Sequence, residues 1–110
     1  MNLKEIYTET IKSRGLRKIL NRKLTEHELI YGEFEILFML FKQNKYSSLQ
    51  PSKISSALKC EPAAVSRLIK SLHKKNLVSY EHGDHDRRQV LVGLTDEGST
   101  KIGEIVASQT

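Results

Sequence analysis

Three basic side chains follow one another along this sequence at the spacing of one face of an α-helix. Arg67, Lys70 and Lys74 recur every three or four residues, and the smaller Ala63 and Ser66 precede them. Guanidinium and ammonium groups donate hydrogen bonds to phosphate oxygens, and arginine also matches the acceptor edge of guanine. Small residues let the beginning of such a helix approach a DNA groove closely. The pattern therefore predicts DNA contact, and the alternative is the solvated face of an ordinary amphipathic helix.

A second charged cluster lies between residues 82 and 88, which contain Gly83 and are typical of a hairpin turn. Its members are His85, Asp86, Arg87 and Arg88. An arginine on a hairpin tip can enter the minor groove, where negative potential is concentrated. Asp86 lies two positions before Arg88 and could orient it by a charge-assisted hydrogen bond. The alternative is a hydrophilic turn that contacts nothing, in which His85 is merely solvated.

The periodicity of apolar residues predicts the elements that position these two clusters. Helices are expected over 1–24, over Tyr31 to Gln43, from Pro51 to the turn at Cys60, over Pro62 to Lys75, and over 95–109; strands are expected over 77–81 and 89–94. Gly15 either ends the first helix or marks a bend or a close crossing. Two short helices joined by a tight turn make a helix-turn-helix. The predicted fold is mainly α with a small antiparallel β-hairpin wing, a winged helix-turn-helix.

Local signals also predict where these elements begin and end. Asn76 can cap the helix before it, because asparagine tolerates the left-handed conformation. Thr95 is a good N-cap for the last helix. Residues 44–50 are predicted to form a polar loop, and Ala57 is expected on a buried helix face. The helix from Tyr31 is apolar nearly all round, so it should pack on the DNA-binding motif and on a terminal helix or a second subunit.

Composition supports one small domain with a polyanionic partner. The chain has 110 residues, 38% of them hydrophobic, and a formal net charge of +5. It has no apolar segment long enough to span a membrane, no secretory signal at its beginning, and one cysteine. A reducing cytoplasm fits these features best. Cys60 is either a small buried hydrophobe or a redox-sensitive thiol.

The sequence does not indicate an enzyme, a cofactor or a metal site. It lacks a glycine-rich phosphate loop, a nucleophile elbow and a pair of carboxylates in an apolar setting. His82 and His85, with Asp84 and Asp86, are of metal-ligand types. They lie on a hairpin tip without supporting residues in sight, so solvation or phosphate contact is the preferred interpretation.

The same residues resemble the MarR-type winged-helix transcriptional regulators, including the SarA-like group. The similar stretches are FEIL at 34–37, VSRLIKSL at 65–72 and, most specific, DRRQVLVGLTDEG at 86–98. The resemblance implies a homodimer on a pseudo-palindromic DNA site, with the helix 62–75 in the major groove and the wing 82–88 at the minor groove. It implies recognition contacts at Ser66, Arg67 and Lys70, a minor-groove arginine at Arg88 braced by Asp86, and a phosphate contact at Arg87.

The resemblance further implies that the terminal helices, about 1–24 and 95–109, contribute to dimerisation. About a dozen residues follow Gly98, which leaves open the size of the dimer interface and the presence of the family's small-molecule effector pocket. The leading hypothesis is a sequence-specific regulator, more often a repressor than an activator. The alternatives are a truncated interaction module that forms inactive heterodimers, and an architectural DNA binder with weak sequence preference.

Overall fold

The computed structural model describes residues 21–43, 48–82 and 90–107, and these form helices around a small antiparallel sheet. After helical residues 21–26, the elements are α1 (Tyr31–Gln43), β1 (Ser48–Leu49), α2 (Pro51–Leu58), α3 (Pro62–Lys74), β2 (Val78–His82), β3 (Val90–Leu94) and α4 (Asp96–Ala107). The predicted mainly α fold with a hairpin is confirmed. The predictions for residues 1–20, including the bend at Gly15, and for the hairpin tip at 83–89 lie outside the described residues.

Prolines set the beginnings of the two helices of the helix-turn-helix. Pro51 and Pro62 each occupy the first turn, where the missing amide hydrogen costs nothing because that position has no intrahelical acceptor. The preceding residues are extended, with Gln50 at φ −71° and ψ 142° and Glu61 at φ −64° and ψ 138°. Lys59 closes α2 in the left-handed conformation, with φ 54°. Residues 59–61 therefore form the tight turn that places α3 against α2.

The end of α3 is fixed by a Schellman motif. Asn76 adopts φ 62°, and its amide donates to the His73 carbonyl at 3.0 Å. The Leu77 amide donates to the Leu72 carbonyl, also at 3.0 Å, and both leucines are buried. These are the two hydrogen bonds and the apolar contact of that motif. The prediction of Asn76 as a left-handed cap is confirmed, and the motif directs the chain from α3 straight into the hairpin.

The hairpin carries an additional strand that the sequence did not reveal. The strand order is β1-β3-β2, with both pairs antiparallel. The interval 44–50 was predicted to be loop throughout, but Ser48 and Leu49 pair with Gly93 and Val92 of β3. A strand of two residues is too short to show alternation, and its pairing is supplied by a partner more than forty residues away in the chain.

The core is centred on α1. Its fully buried members are Leu24, then Phe34, Ile36, Leu37 and Leu40 of α1, Ile54 of α2, Val65, Ile69 and Leu72 of α3, Val78 of β2, Val92 of β3, and Ile102 and Ile105 of α4. Because α1 packs against α3, α4 and β3 of its own protomer, its predicted many-sided burial needs no second subunit. One prediction was wrong: Ala57 is exposed, and Ser55 is buried instead. Ser55 tolerates burial because its hydroxyl donates to the Cys60 carbonyl at 2.6 Å.

The beginning of α4 is joined to the turn that follows α3. The Thr95 hydroxyl accepts from the Gly98 amide at 2.9 Å, which confirms it as the N-cap, and donates to the Asn76 carbonyl at 2.7 Å. Gly98 lies very close to the backbone of Leu77. A Cβ atom on residue 98 would overlap the Leu77 carbonyl oxygen and lie 2.8 Å from the Leu77 carbonyl carbon. This contact requires glycine, and it holds α4 against the entry to β2.

Candidate nucleic-acid interface

The exposed face of α3 carries four of the five recognition-helix residues predicted from the sequence. Ala63, Arg67, Lys70 and Lys74 are exposed, and Ser66 is half-buried. On the opposite side of the helix, Val65, Ile69 and Leu72 are at most 1% exposed. Burial of that side fixes the rotation of α3 about its own axis to a first approximation. The donors consequently project away from the protein along one helix face.

The first turn of α3 is small and unobstructed. Ala63 is exposed, Ala64 is half-buried, and the Glu61 side chain makes no capping hydrogen bond. The amide groups at a helix beginning have no intrahelical acceptor and favour anions. The end that would enter a DNA groove therefore combines free backbone donors with little side-chain bulk.

Lys75, at the other end of the helix, differs from the neighbouring lysines. Its ammonium group donates to both carboxylate oxygens of Glu33 at 2.9 Å and to the Glu28 carbonyl at 2.8 Å. An ammonium group has three donors, and this geometry engages it fully. The Lys75 ammonium group is thus engaged within the protein although its side chain is 36% exposed. Lys70 and Lys74 are exposed as well.

Glu33 is the functional-site feature that the sequence interpretation missed. Although it is charged, it is only 1% exposed, in the first turn of α1. Besides Lys75, its carboxylate accepts from the Ser71 hydroxyl at 2.9 Å and from the Ile30 amide at 3.0 Å. The available signal was that Glu33 and Glu35 are the two carboxylates of a helix that is apolar on most sides. A charge that is buried on such a helix needs partners.

The hairpin leaves the body of the protein beside the last turn of α3. Tyr80 of β2 is 42% exposed, and its ring centroid lies 6.0 Å from that of His73. Beyond it, Glu81 and His82 are exposed. The predicted wing contacts His85, Asp86, Arg87 and Arg88 lie outside the described residues. The strands that carry them are paired up to His82 opposite Val90, so the tip begins immediately after an ordered ladder.

The remaining predictions concern a metal site, Cys60 and membrane-spanning helices. Within residues 21–43, 48–82 and 90–107, no three His, Cys, Asp or Glu side chains are grouped to hold a metal ion; His85, Asp84 and Asp86 lie outside those ranges. Cys60 is half-buried, with its Sγ 3.4 Å from the Leu58 carbonyl oxygen. None of the helices in the described ranges has the length and apolar character required to cross a membrane.

Comparison with solved structures finds the same fold in other bacterial proteins. The chain is similar to YusO from Bacillus subtilis, with a TM-score of 0.75 and 24% identity over 99% of this chain and 79% of that one. It is also similar to a variant of MepR from Staphylococcus aureus bound to an oligodeoxyribonucleotide, with a TM-score of 0.75 and 24% identity over 93% and 72% of the two chains. At these identities the structures show a shared fold.

Sequence comparison identifies the family. The HTH-type transcriptional repressor MdtR of Bacillus subtilis is 37% identical over 73 residues, which are 66% of this chain and 47% of MdtR. The chain thus spans about half the length of that curated relative. The family model for the transcriptional regulator SarA/Rot matches residues 18–105. The predictions of a regulator of MarR and SarA type, and not an enzyme, are confirmed, and the chain belongs to the SarA/Rot family of transcriptional regulators.

Proposed function

We propose that this protein is a sequence-specific DNA-binding repressor that acts as a homodimer on an inverted-repeat site in the cytoplasm. The observation that carries the proposal is the division of α3 into two faces. Arg67, Lys70 and Lys74 are exposed on one side, while Ile69 and Leu72 anchor the other in the core. A helix held in this way can insert its outer face into the major groove without rearrangement.

Within this proposal the residues of α3 have different tasks. Ala63 and Ser66 lie nearest the groove floor because small side chains allow close approach, and Arg67 reads a base edge or grips phosphate. Lys70 and Lys74, one and two turns further along, contact phosphates where the backbone rises. Phosphate contacts set register and affinity, whereas base contacts set specificity.

The wing supplies the second contact in this proposal. Arg88 enters the flanking minor groove, Asp86 orients it, and Arg87 and His85 contact phosphate. Support comes from the path of the hairpin, because β2 begins three residues after the Lys75 cap of α3 and remains paired to His82. A wing that leaves beside the recognition helix can span from one groove to the next.

Dimerisation is proposed because an inverted repeat requires two copies of the reading helix. The apolar positions Ile102 and Ile105 of α4 are already buried within the protomer, at 0% and 1% exposure. In the described part of α4, the apolar side chains that could contact a second subunit are therefore mainly those of Val106 and Ala107. The proposed interface depends correspondingly more on the segment 1–24, with Ile30 adding an exposed apolar side chain next to it. Sedimentation at micromolar concentration should give a dimer, and a monomer would contradict this part of the proposal.

Selection of bound sequences from random duplex DNA, followed by salt titration, tests the proposed function. A specific regulator should enrich an inverted repeat and bind it about a thousandfold or more above a shuffled duplex. A steep salt dependence without enrichment would indicate an architectural binder. Absence of binding at low salt would contradict the proposal and favour an interaction module.

A further inference from the structure

The recognition helix is held to the scaffold by one buried carboxylate in addition to apolar packing. Glu33, in the first turn of α1, bonds to Ser71 and Lys75, which lie one turn apart on the same side of α3. Its remaining hydrogen bond comes from the Ile30 amide at the beginning of α1. The end of α3 and the beginning of α1 are therefore joined through a single side chain.

Apolar packing alone leaves the rotation of α3 less well defined. Where α3 crosses α1, Leu68 lies against Gly32, and a Cβ on Gly32 would be 2.8 Å from the Leu68 Cδ1. Such a contact is close but non-directional. The hydrogen bonds to Glu33 are directional, and each permits only a few tenths of an ångström of displacement. They restrict movements that the leucine contact would tolerate.

This restriction matters for DNA reading because Arg67 lies one turn before Ser71 on the same helix. A rotation of α3 by about 20° would move a group about 6 Å from the helix axis by about 2 Å. That displacement exceeds the tolerance of a hydrogen bond to a base edge. As a source of stability alone, an ion pair between a buried carboxylate and an ammonium group that is 36% exposed contributes little or is matched by apolar residues of similar size. Geometry is therefore the stronger explanation for a charge at this position.

We propose that Glu33 is a positioning residue for DNA recognition, which acts through Ser71 and Lys75 to set the rotation of α3 and hence the direction of Arg67. The inference rests on the proposed DNA-reading function. It also assigns Lys75 to the scaffold: although it directly follows Lys74, it contributes no phosphate contact.

Glu33→Gln is the informative variant, because glutamine keeps an oxygen that can accept from the Ile30 amide while it removes the charge. Glu26→Gln is the matched control, since Glu26 is exposed and its loss changes the net charge equally. Both variants are measured against the selected inverted-repeat duplex and a shuffled duplex of the same composition, at a temperature where circular dichroism shows them folded. Glu33→Gln should lower the ratio of the two affinities about tenfold, as expected for loss of a charge-assisted hydrogen bond. Glu26→Gln should leave the ratio unchanged.

Variants of Lys75 provide a second, independent test. Lys75→Met should lower the same ratio without flattening the salt dependence, and Lys75→Arg should restore the ratio, because a guanidinium group can still pair with the carboxylate. Should Glu33→Gln fail to fold, these two variants decide the question on their own. The inference is overturned if the ratio of affinities is unchanged in folded Glu33→Gln or Lys75→Met. It is also overturned if Lys75→Met reduces the slope of the salt dependence by about one, because Lys75 would then contact phosphate. Failure of the unmodified protein to prefer the selected duplex would instead overturn the proposed function itself.

Discussion

Replacement of Gly98 by alanine tests the junction that holds α4 against the turn after α3. The new methyl group would overlap the Leu77 carbonyl oxygen and lie 2.8 Å from the carbonyl carbon. These are backbone atoms, so no side-chain rotation can relieve the overlap. The Thr95 amide donates to the same carbonyl at 3.2 Å, and this bond would be lost as α4 moves away.

The expected loss of stability is large for a change of one methyl group. Overpacking against backbone costs about 3 kcal/mol, and the lost hydrogen bond costs about 1 kcal/mol. The higher helix propensity of alanine offsets about 1 kcal/mol. The net destabilisation of about 3 kcal/mol corresponds to a decrease in Tm of roughly 12–24 °C for a domain of this size.

Gly103→Ala is the matched control, because Gly103 lies in the same helix and a Cβ there would have no atom within 4 Å. It should gain about 0.5–1 kcal/mol from helix propensity alone. Urea unfolding followed by circular dichroism measures both variants. Opposite signs are expected, and a Gly98→Ala protein as stable as the unmodified one would refute the assignment of this contact.

Three further substitutions examine the cap and two of the proposed DNA contacts. Thr95→Ala removes the N-cap of α4 and its hydrogen bond to the Asn76 carbonyl, so it should lower the free energy of unfolding in urea by about 1–2 kcal/mol. Thr100 is exposed, and Thr100→Ala should be nearly neutral. Equal effects of the two substitutions would contradict the capping role. Lys70→Ala should weaken binding to all duplexes similarly and lower the salt slope by about one, so a selective loss on one sequence would argue against a phosphate contact. Arg88→Ala should weaken binding about tenfold, and most for sites with A·T-rich flanks; an equal loss across all flanks would mean that Arg88 only touches phosphate.

Local signals in the sequence were sufficient to predict most helix boundaries. Prolines at 51 and 62, the cap at Thr95 and the left-handed Asn76 act within one or two turns of their own positions. Apolar periodicity predicts a buried side of α3 formed by Val65, Leu68, Ile69 and Leu72. The structure buries these residues except Leu68, which is half-buried. The same periodicity therefore also predicts Arg67 and Lys70 on the exposed side, where the structure has them.

The features that escaped prediction depend on contacts between distant parts of the chain. Glu33 meets Ser71 and Lys75 about forty residues later, and no local rule indicates which lysine a buried carboxylate will select. The strand at Ser48 and Leu49 exists because β3 pairs with it. The glycine requirement at 98 comes from the Leu77 backbone, although the stretch that resembles the family contains both Thr95 and Gly98.

The central claim, that α3 reads base edges in the major groove, is tested most directly with modified bases in the selected duplex. Replacement of guanine or adenine by its 7-deaza analogue removes the N7 acceptor of the major-groove edge. Replacement of guanine by inosine removes the minor-groove amino group, and one base-pairing hydrogen bond with it, but leaves the major-groove edge unchanged. Within the inverted repeat, at least one 7-deaza substitution per half-site should weaken binding about tenfold, while inosine at the same positions should have little effect. Binding that is insensitive to every major-groove change, or sensitive only to inosine, would contradict the claim.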